Sequence, residues 1–200
     1  MVAEFVNRKV VKKKMCLTNS STAKQEEKVK ERGSCQPLDE KLRRFYFMRA
    51  EFQILVIPYK IVTGKAKFVI FKRKDMCVWQ FIAGGGEFSE TPIEAAKRET
   101  FEESGIKKSP FFKLDTVTMI PVSCFKDHQN KPGLYVIPEY CFAVELSTIE
   151  INLSNEHSEY LLVDYDTAIE HIRYDSNKTA IWELNERIKN DDLNAPEFIA

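Results

Sequence analysis

An α/β sandwich, strands with helices on both faces, is the fold this sequence predicts, and three observations predict it. Short apolar runs rich in β-branched and aromatic residues recur along the chain, as sheet strands do. One helix has both of its ends marked in the sequence. Near the C-terminus Ala180, Ile181, Leu184 and Ile188 recur at helical spacing in a second apolar-faced segment.

The elements follow in order. Residues 1–47 carry twelve Lys or Arg against six Asp or Glu, and the remainder carries eighteen against twenty-four, so the overall zero net charge conceals a basic arm and an acidic body. TNSSTAKQEEKVKERGSCQ has almost no apolar content and reads as solvated chain. The arm lacks the apolar core of a signal peptide. A folded unit is expected over 48–190, with 191–200 as a short tail. QILVIPY, KFVIFKR and VWQFIAGG read as strands, and FFKLDTVTMIPV and YVIPEYCFAVEL as two more beyond the marked helix. The turn-rich CFKDHQNKPG separates the last two. Pro58, Pro121 and Pro138 are expected at strand ends or edges, because each lacks a ladder donor. LLVDYDTAIEHI and SNKTAIWELNERI are expected as helices. About 140 residues suffice for one core, and no apolar stretch is long enough to span a membrane.

The marked helix carries the chemistry. Thr91 suits the N-cap, Pro92 the first helical position and Glu94 the third, where it closes a capping box. Gly105 supplies the stop. Glu99, Glu102 and Glu103 then share one face at i, i+3 and i+4. Arg98 can pair with Glu94 and Glu102, whereas Glu99 and Glu103 face each other with no cation between them on that face. A solvated acidic face is one reading of this pattern. A hard divalent cation, Mg²⁺ above all, bridging carboxylates to substrate phosphates is the other.

The run from Gly84 to Ile106, GGGEFSETPIEAAKRETFEESGI, resembles the Nudix box of the Nudix hydrolases, which cleave a nucleoside diphosphate linked to another group. Gly84 matches the opening glycine, Glu90 follows after five residues, Arg98 and Glu99 after seven more, and Glu102, Glu103, Gly105 and Ile106 complete it. Thr100 departs from the aliphatic residue usual there. The resemblance, over roughly 48–188, implies a mixed sheet between helices. It implies that Glu99, Glu102 and Glu103 bind metal with the Gly84 carbonyl, that Arg98 orients a glutamate, and that Mg²⁺, with Mn²⁺ as alternative, is the cofactor. The chemistry expected is attack of water on phosphorus. The general base is expected either within the box or in a later loop, with Glu159 of NEHSEYLLV as the first candidate and Glu139 as the second.

Substrate contacts are expected from Lys72 and Arg73 toward phosphates and from Trp79 or Tyr135 toward a base or pterin ring, with Phe125 and Tyr140 as further aromatic candidates. Trp79 and Phe81 alternate, so they point the same way, into the core or toward a base. The box and the downstream EHSEYLLVDYDTAIEHIRYDSNKTAIWELNERI also look like the branch that contains dATP and dihydroneopterin triphosphate pyrophosphohydrolases. That resemblance implies a nucleotide or pterin triphosphate substrate split to a monophosphate and pyrophosphate. ADP-ribose, nucleotide sugars, dinucleoside polyphosphates, capped RNA and a non-catalytic nucleotide-binding module stay open. A homodimer stays open too, as does nucleic acid through the basic arm, although that arm lacks aromatic interleaving. Five cysteines, Cys16, Cys35, Cys77, Cys124 and Cys141, in no metal-binding spacing fit reduced thiols and a cytoplasmic location.

Overall fold

The computed structural model describes residues 49–193 apart from 108, 129 and 130. The basic arm over 1–47 and most of the tail over 191–200 lie outside the described residues. Seven strands form one mixed sheet: β1 (Arg49–Val62), β2 (Lys65–Arg73), β3 (Trp79–Gln80), β4 (Ile82–Glu87), β5 (Phe111–Pro121), β6 (Val136–Glu145) and β7 (His157–Val163). The helices are α1 (Pro92–Ser104), α2 (Tyr165–His171) and α3 (Asp175–Lys189). The sheet runs β3-β2-β1-β6-β5, with β4 paired to β1 and β7 to β2. Only β1 and β6 pair in parallel among these ladders.

β1 organises the sheet because it changes partner along its length. Its first part pairs with β4 up to Val56, opposite Ile82, and its end pairs with β2 from Tyr59, opposite Phe68. Pro58 falls in the gap between those two ladders, so a residue expected at a strand end sits inside a long strand without costing a bond on that side. Pro121 closes β5, as expected of a proline.

The period-two alternation of the strands divides the core into two layers. Leu55, Ile57, Tyr59, Phe81, Cys141 and Ala143 face α2 and α3, where Ala168, Ala180, Ile181 and Leu184 cover them. Ile54, Val56, Val69, Phe71, Ile82, Phe142 and Val144 face α1, under Ile93, Ala95 and Ala96. Trp79 packs against the first layer beside Phe81, so the shared direction of these two aromatics is toward the core.

One expected helix is corrected. Leu161, Leu162 and Val163 belong to β7, and α2 begins only at Tyr165, capped by Asp164, whose side chain accepts from the Thr167 amide at 3.0 Å. Tertiary pairing decides it: β7 finds an open edge on β2, with Val69 opposite Leu162 and Phe71 opposite Tyr160. No helix among the described residues is long and apolar enough to cross a membrane. Cys77 and Cys124 are exposed free thiols and Cys141 is a buried one.

Candidate active site

The end of β4 and the start of α1 build the site. Thr91 caps α1 through the Glu94 amide while the Glu94 carboxylate accepts from the Thr91 amide at 2.7 Å, closing the capping box. Gly105 ends the helix at φ 71°, in the left-handed region that favours glycine. This capping fixes where each carboxylate of the helix emerges. Glu94 is committed to the cap, so Arg98 does not pair with it.

Arg98 instead ties the turn to the helix. Its guanidinium donates to both oxygens of Glu90 at 2.8 and 2.9 Å, to the Gly85 carbonyl at 3.0 Å, to Glu99 at 2.9 Å and to Glu102 at 3.1 Å. A planar fork with five donors can serve this many acceptors, and a lysine cannot. The Arg98 bond holds Glu90 below the usual carboxylate range.

Glu99 lies directly over Gly84. That glycine is required by space, because a Cβ built there would overlap the Glu99 carboxylate. Burial is the main cause that pushes Glu99 up to about 7; Arg98 opposes it, while the Glu103 and Glu102 charges add to it. Glu103 is 3% exposed, and its carboxylate accepts a 2.7 Å bond from the Nε2–H of His157. Burial also raises Glu103, against the pull of His157. The two carboxylates that faced each other without a cation in the sequence therefore each hold a donor, Arg98 for Glu99 and His157 for Glu103. Glu102 is exposed and turned toward Arg98.

A cleft of about 320 Å³ opens over these groups. Its lining includes Gly84, Gly85, Glu99, Glu103 and Glu156 with the cations Arg49, Arg73 and Lys126, and Gln53, Phe125 and His128 close other sides. Arg73 donates to Glu156 at 3.0 Å and to Asp75 at 2.8 Å. Among the expected substrate contacts, Arg73 and Phe125 line this cleft. Lys72 does not: it binds Glu159 at 2.7 Å and lies 5.6 Å from the Trp79 ring. Trp79 packs edge-on to His171, ring centroids 6.0 Å apart, and Tyr135 is 80% exposed. Glu159 sits on β7 outside the cleft lining, whereas Glu156, three residues earlier, is inside it.

A bulge explains that exchange. β7 pairs Glu159 with Lys72, and then the register shifts so that Arg73 meets His157. The shift carries His157 under Glu103 and Glu156 to the cleft wall. The adjacent Glu156 and His157 immediately before an apolar strand were the available signal for both.

No group of three His, Cys, Asp or Glu side chains converges tightly enough to hold a metal ion among the described residues. The donor set nonetheless fits a hard divalent cation. It offers carboxylate oxygens on one helix face, two of those carboxylates are raised by burial, and the Gly84 backbone lies bare against Glu99.

The NUDIX domain family matches residues 56–182 of the chain. A Listeria monocytogenes protein described as a NUDIX hydrolase is 46% identical over 72% of this chain and 98% of its own, with a TM-score of 0.66. The Escherichia coli dihydroneopterin triphosphate pyrophosphohydrolase is 24% identical over 70% of this chain and 99% of its own, with a TM-score of 0.59. The Caenorhabditis elegans Ap4A hydrolase in its binary complex is 18% identical over 70% and 98%, with a TM-score of 0.54. The last two are likenesses of fold. No curated protein matches the chain.

Proposed function

Because the chain belongs to the NUDIX hydrolase family, we propose that it is a Mg²⁺-dependent pyrophosphohydrolase that splits a nucleoside-triphosphate-like substrate, of the dNTP or dihydroneopterin triphosphate type, into a monophosphate and pyrophosphate. The observation that carries this is the cleft itself, where Glu99, Glu103 and Glu156 share one wall system with Arg49, Arg73 and Lys126. Acceptors for a divalent ion and cations for phosphate oxygens lie together. The volume is at the small end of ligand sites, suited to one nucleotide-sized group.

Glu99, Glu102, Glu103 and the Gly84 carbonyl would hold the ion, with Glu102 swinging from Arg98. A bound Mg²⁺ supplies polarisation of the phosphoryl oxygens and a lowered pKa of coordinated water. Arg98 keeps Glu99 and the Gly85 turn in place. Arg49, Arg73 and Lys126 would bind non-bridging oxygens and orient the phosphate chain. Glu156 takes the place that Glu159 was expected to fill: it reaches the cleft and, held by Arg73, can accept the proton of the attacking water. Glu159, outside the cleft lining, is the poorer base.

The test is Mg²⁺-dependent release of phosphate or pyrophosphate from dNTPs, dihydroneopterin triphosphate, ADP-ribose, nucleotide sugars, Ap4A and capped RNA. Preferred turnover of a triphosphate, lost in Glu156→Gln and kept in Glu159→Gln, is the expected result. Preference for another diphosphate derivative moves the substrate class. Nucleotide binding without any turnover makes the chain a binding module, a reading that the retention of every box carboxylate disfavours.

His157→Ala separates support from chemistry. Removing the histidine leaves Glu103 buried without its donor, at a cost of about 1–3 kcal/mol in stability. Divalent-ion affinity should fall about 10–100-fold, as it does when the group orienting a ligand is lost. Chemical denaturation and Mn²⁺ titration followed by paramagnetic resonance read the two effects. Unchanged ion affinity would remove Glu103 from the ligand set.

A further inference from the structure

His128 is the buried polar side chain of the cleft that the proposed chemistry leaves unused. It lines the same cavity as Glu99, Glu103 and Glu156, is 1% exposed, and its Nδ1 has no hydrogen-bond partner among the described residues. An unpaired ring nitrogen in a packed site costs stability, and an apolar ring would fill the volume without that cost. The chain carries a histidine there all the same.

The loop that holds it is fastened on both sides. Asp127, one residue before, pairs with Arg49 at 3.7 Å, and Lys131, three residues after, pairs with Glu51 at 3.3 Å, so two ion pairs draw the loop onto the start of β1. Arg49 also donates to the Gly85 carbonyl at 3.1 Å, which joins this loop to the glycine run against which Glu99 lies. Within the loop the His128 amide donates to the Phe125 carbonyl at 3.2 Å, and the two rings stand edge to face with centroids 6.2 Å apart. These contacts hold the backbone and the ring carbons, and none of them engages Nδ1.

The surrounding charge indicates what the ring is suited to meet. Arg49 and Lys126 line the same cavity, and Lys126 has no ion pair among the described residues. An anion rich in oxygen suits such a wall. Burial first, and then the Lys131 and Arg49 charges, hold His128 below its ordinary range against the opposing pull of Asp127 and Glu51. A neutral imidazole carries one N–H to donate.

We infer that His128 is a substrate-contact residue whose ring N–H donates to a phosphate oxygen of the substrate in this cleft. The inference rests on the triphosphate reading of the cleft and deepens it, because it adds a neutral donor to the cations Arg49, Arg73 and Lys126.

The test is calorimetric titration of the full chain with inorganic tripolyphosphate in Mg²⁺, for wild type, His128→Phe, His128→Asn and His128→Gln. Phenylalanine keeps a ring against Phe125 and removes both nitrogens, whereas asparagine restores a donor near Nδ1 and glutamine one near Nε2. His128→Phe should bind about tenfold or more weakly, the worth of a hydrogen bond to a charged acceptor, and one of the two amides should recover most of that loss. His128→Phe should also melt at or above the wild-type temperature, because the unpaired nitrogen is gone. A histidine serving only the fold would show the reverse, a lower melting temperature with unchanged binding.

No binding of tripolyphosphate by wild type, unchanged affinity in His128→Phe, or equally weak binding by both amides at the wild-type melting temperature would overturn the inference. So would a loss confined to a non-hydrolysable nucleoside triphosphate, since the contact would then be to the ring. Where His128→Phe fails to fold, the two amides carry the comparison: unequal affinities support the contact and equal ones overturn it. Binding is read without turnover, so a chain that binds tripolyphosphate through His128 and hydrolyses nothing defeats the activity reading alone. A chain that hydrolyses triphosphates with the same KM in His128→Phe defeats this one.

Discussion

Glu103→Gln is expected to fold as wild type does and to lose about a thousandfold in Mg²⁺-dependent turnover, the equivalent of several kcal/mol of transition-state stabilisation. The glutamine can keep the same volume in a site that is 3% exposed, and its carbonyl can still accept from His157. What it cannot supply is the negative oxygen that a divalent ion requires, and it presents N–H groups where that oxygen stood. Saturating-substrate rates over a Mg²⁺ series, with a thermal melt as the folding control, check this. Activity close to wild type with the melt unchanged would exclude Glu103 as a ligand.

Gly84→Ala is the second large effect, and it acts through one methyl group. The added carbon overlaps the Glu99 carboxylate. β4 is held in place, because Gly84 is paired opposite Ile54 of β1. Glu99 must move instead, and a displacement near 1 Å at a reacting centre costs about 100-fold in rate. Overpacking adds a loss of about 1–3 kcal/mol in stability. Gly85→Ala is the contrast: its added carbon would sit 2.8 Å from Arg49 Nη1, the far end of a flexible side chain. The first variant should lose far more turnover than the second, and equal losses would mean that the glycine run serves the backbone and not Glu99.

Both variants fall where the sequence was most legible. Thr91, Pro92, Glu94 and Gly105 determine α1 by local chemistry alone, so the helix ends and the face shared by Glu99, Glu102 and Glu103 could be read directly. The alternation of the strands likewise revealed the layers. Contacts between distant segments were not legible. His157 lies 54 residues from Glu103, and only the bulge in the β2–β7 ladder brings them together. The same bulge puts Glu156, and not Glu159, in the cleft wall, a placement that local pattern does not contain. Arg98 was expected to serve its own helix, and it serves the Glu90 turn as well because Glu94 is occupied by the cap. The end of β7, residues 161–163, reads as helix in the sequence because three apolar residues in a row fit either state until an open strand edge is known.

The β2–β7 ladder also determines when the site can exist. Lys72 and Glu159 are separated by 87 positions, and loop closure over such a span precedes any reward from the contacts it makes. During synthesis the whole of α1 emerges well before β7, with Glu103 present and nothing to seat it. The cleft is therefore among the last parts to assemble, and a chain released before Val163 would carry every residue of the glutamate face without the catalytic centre they are meant to form.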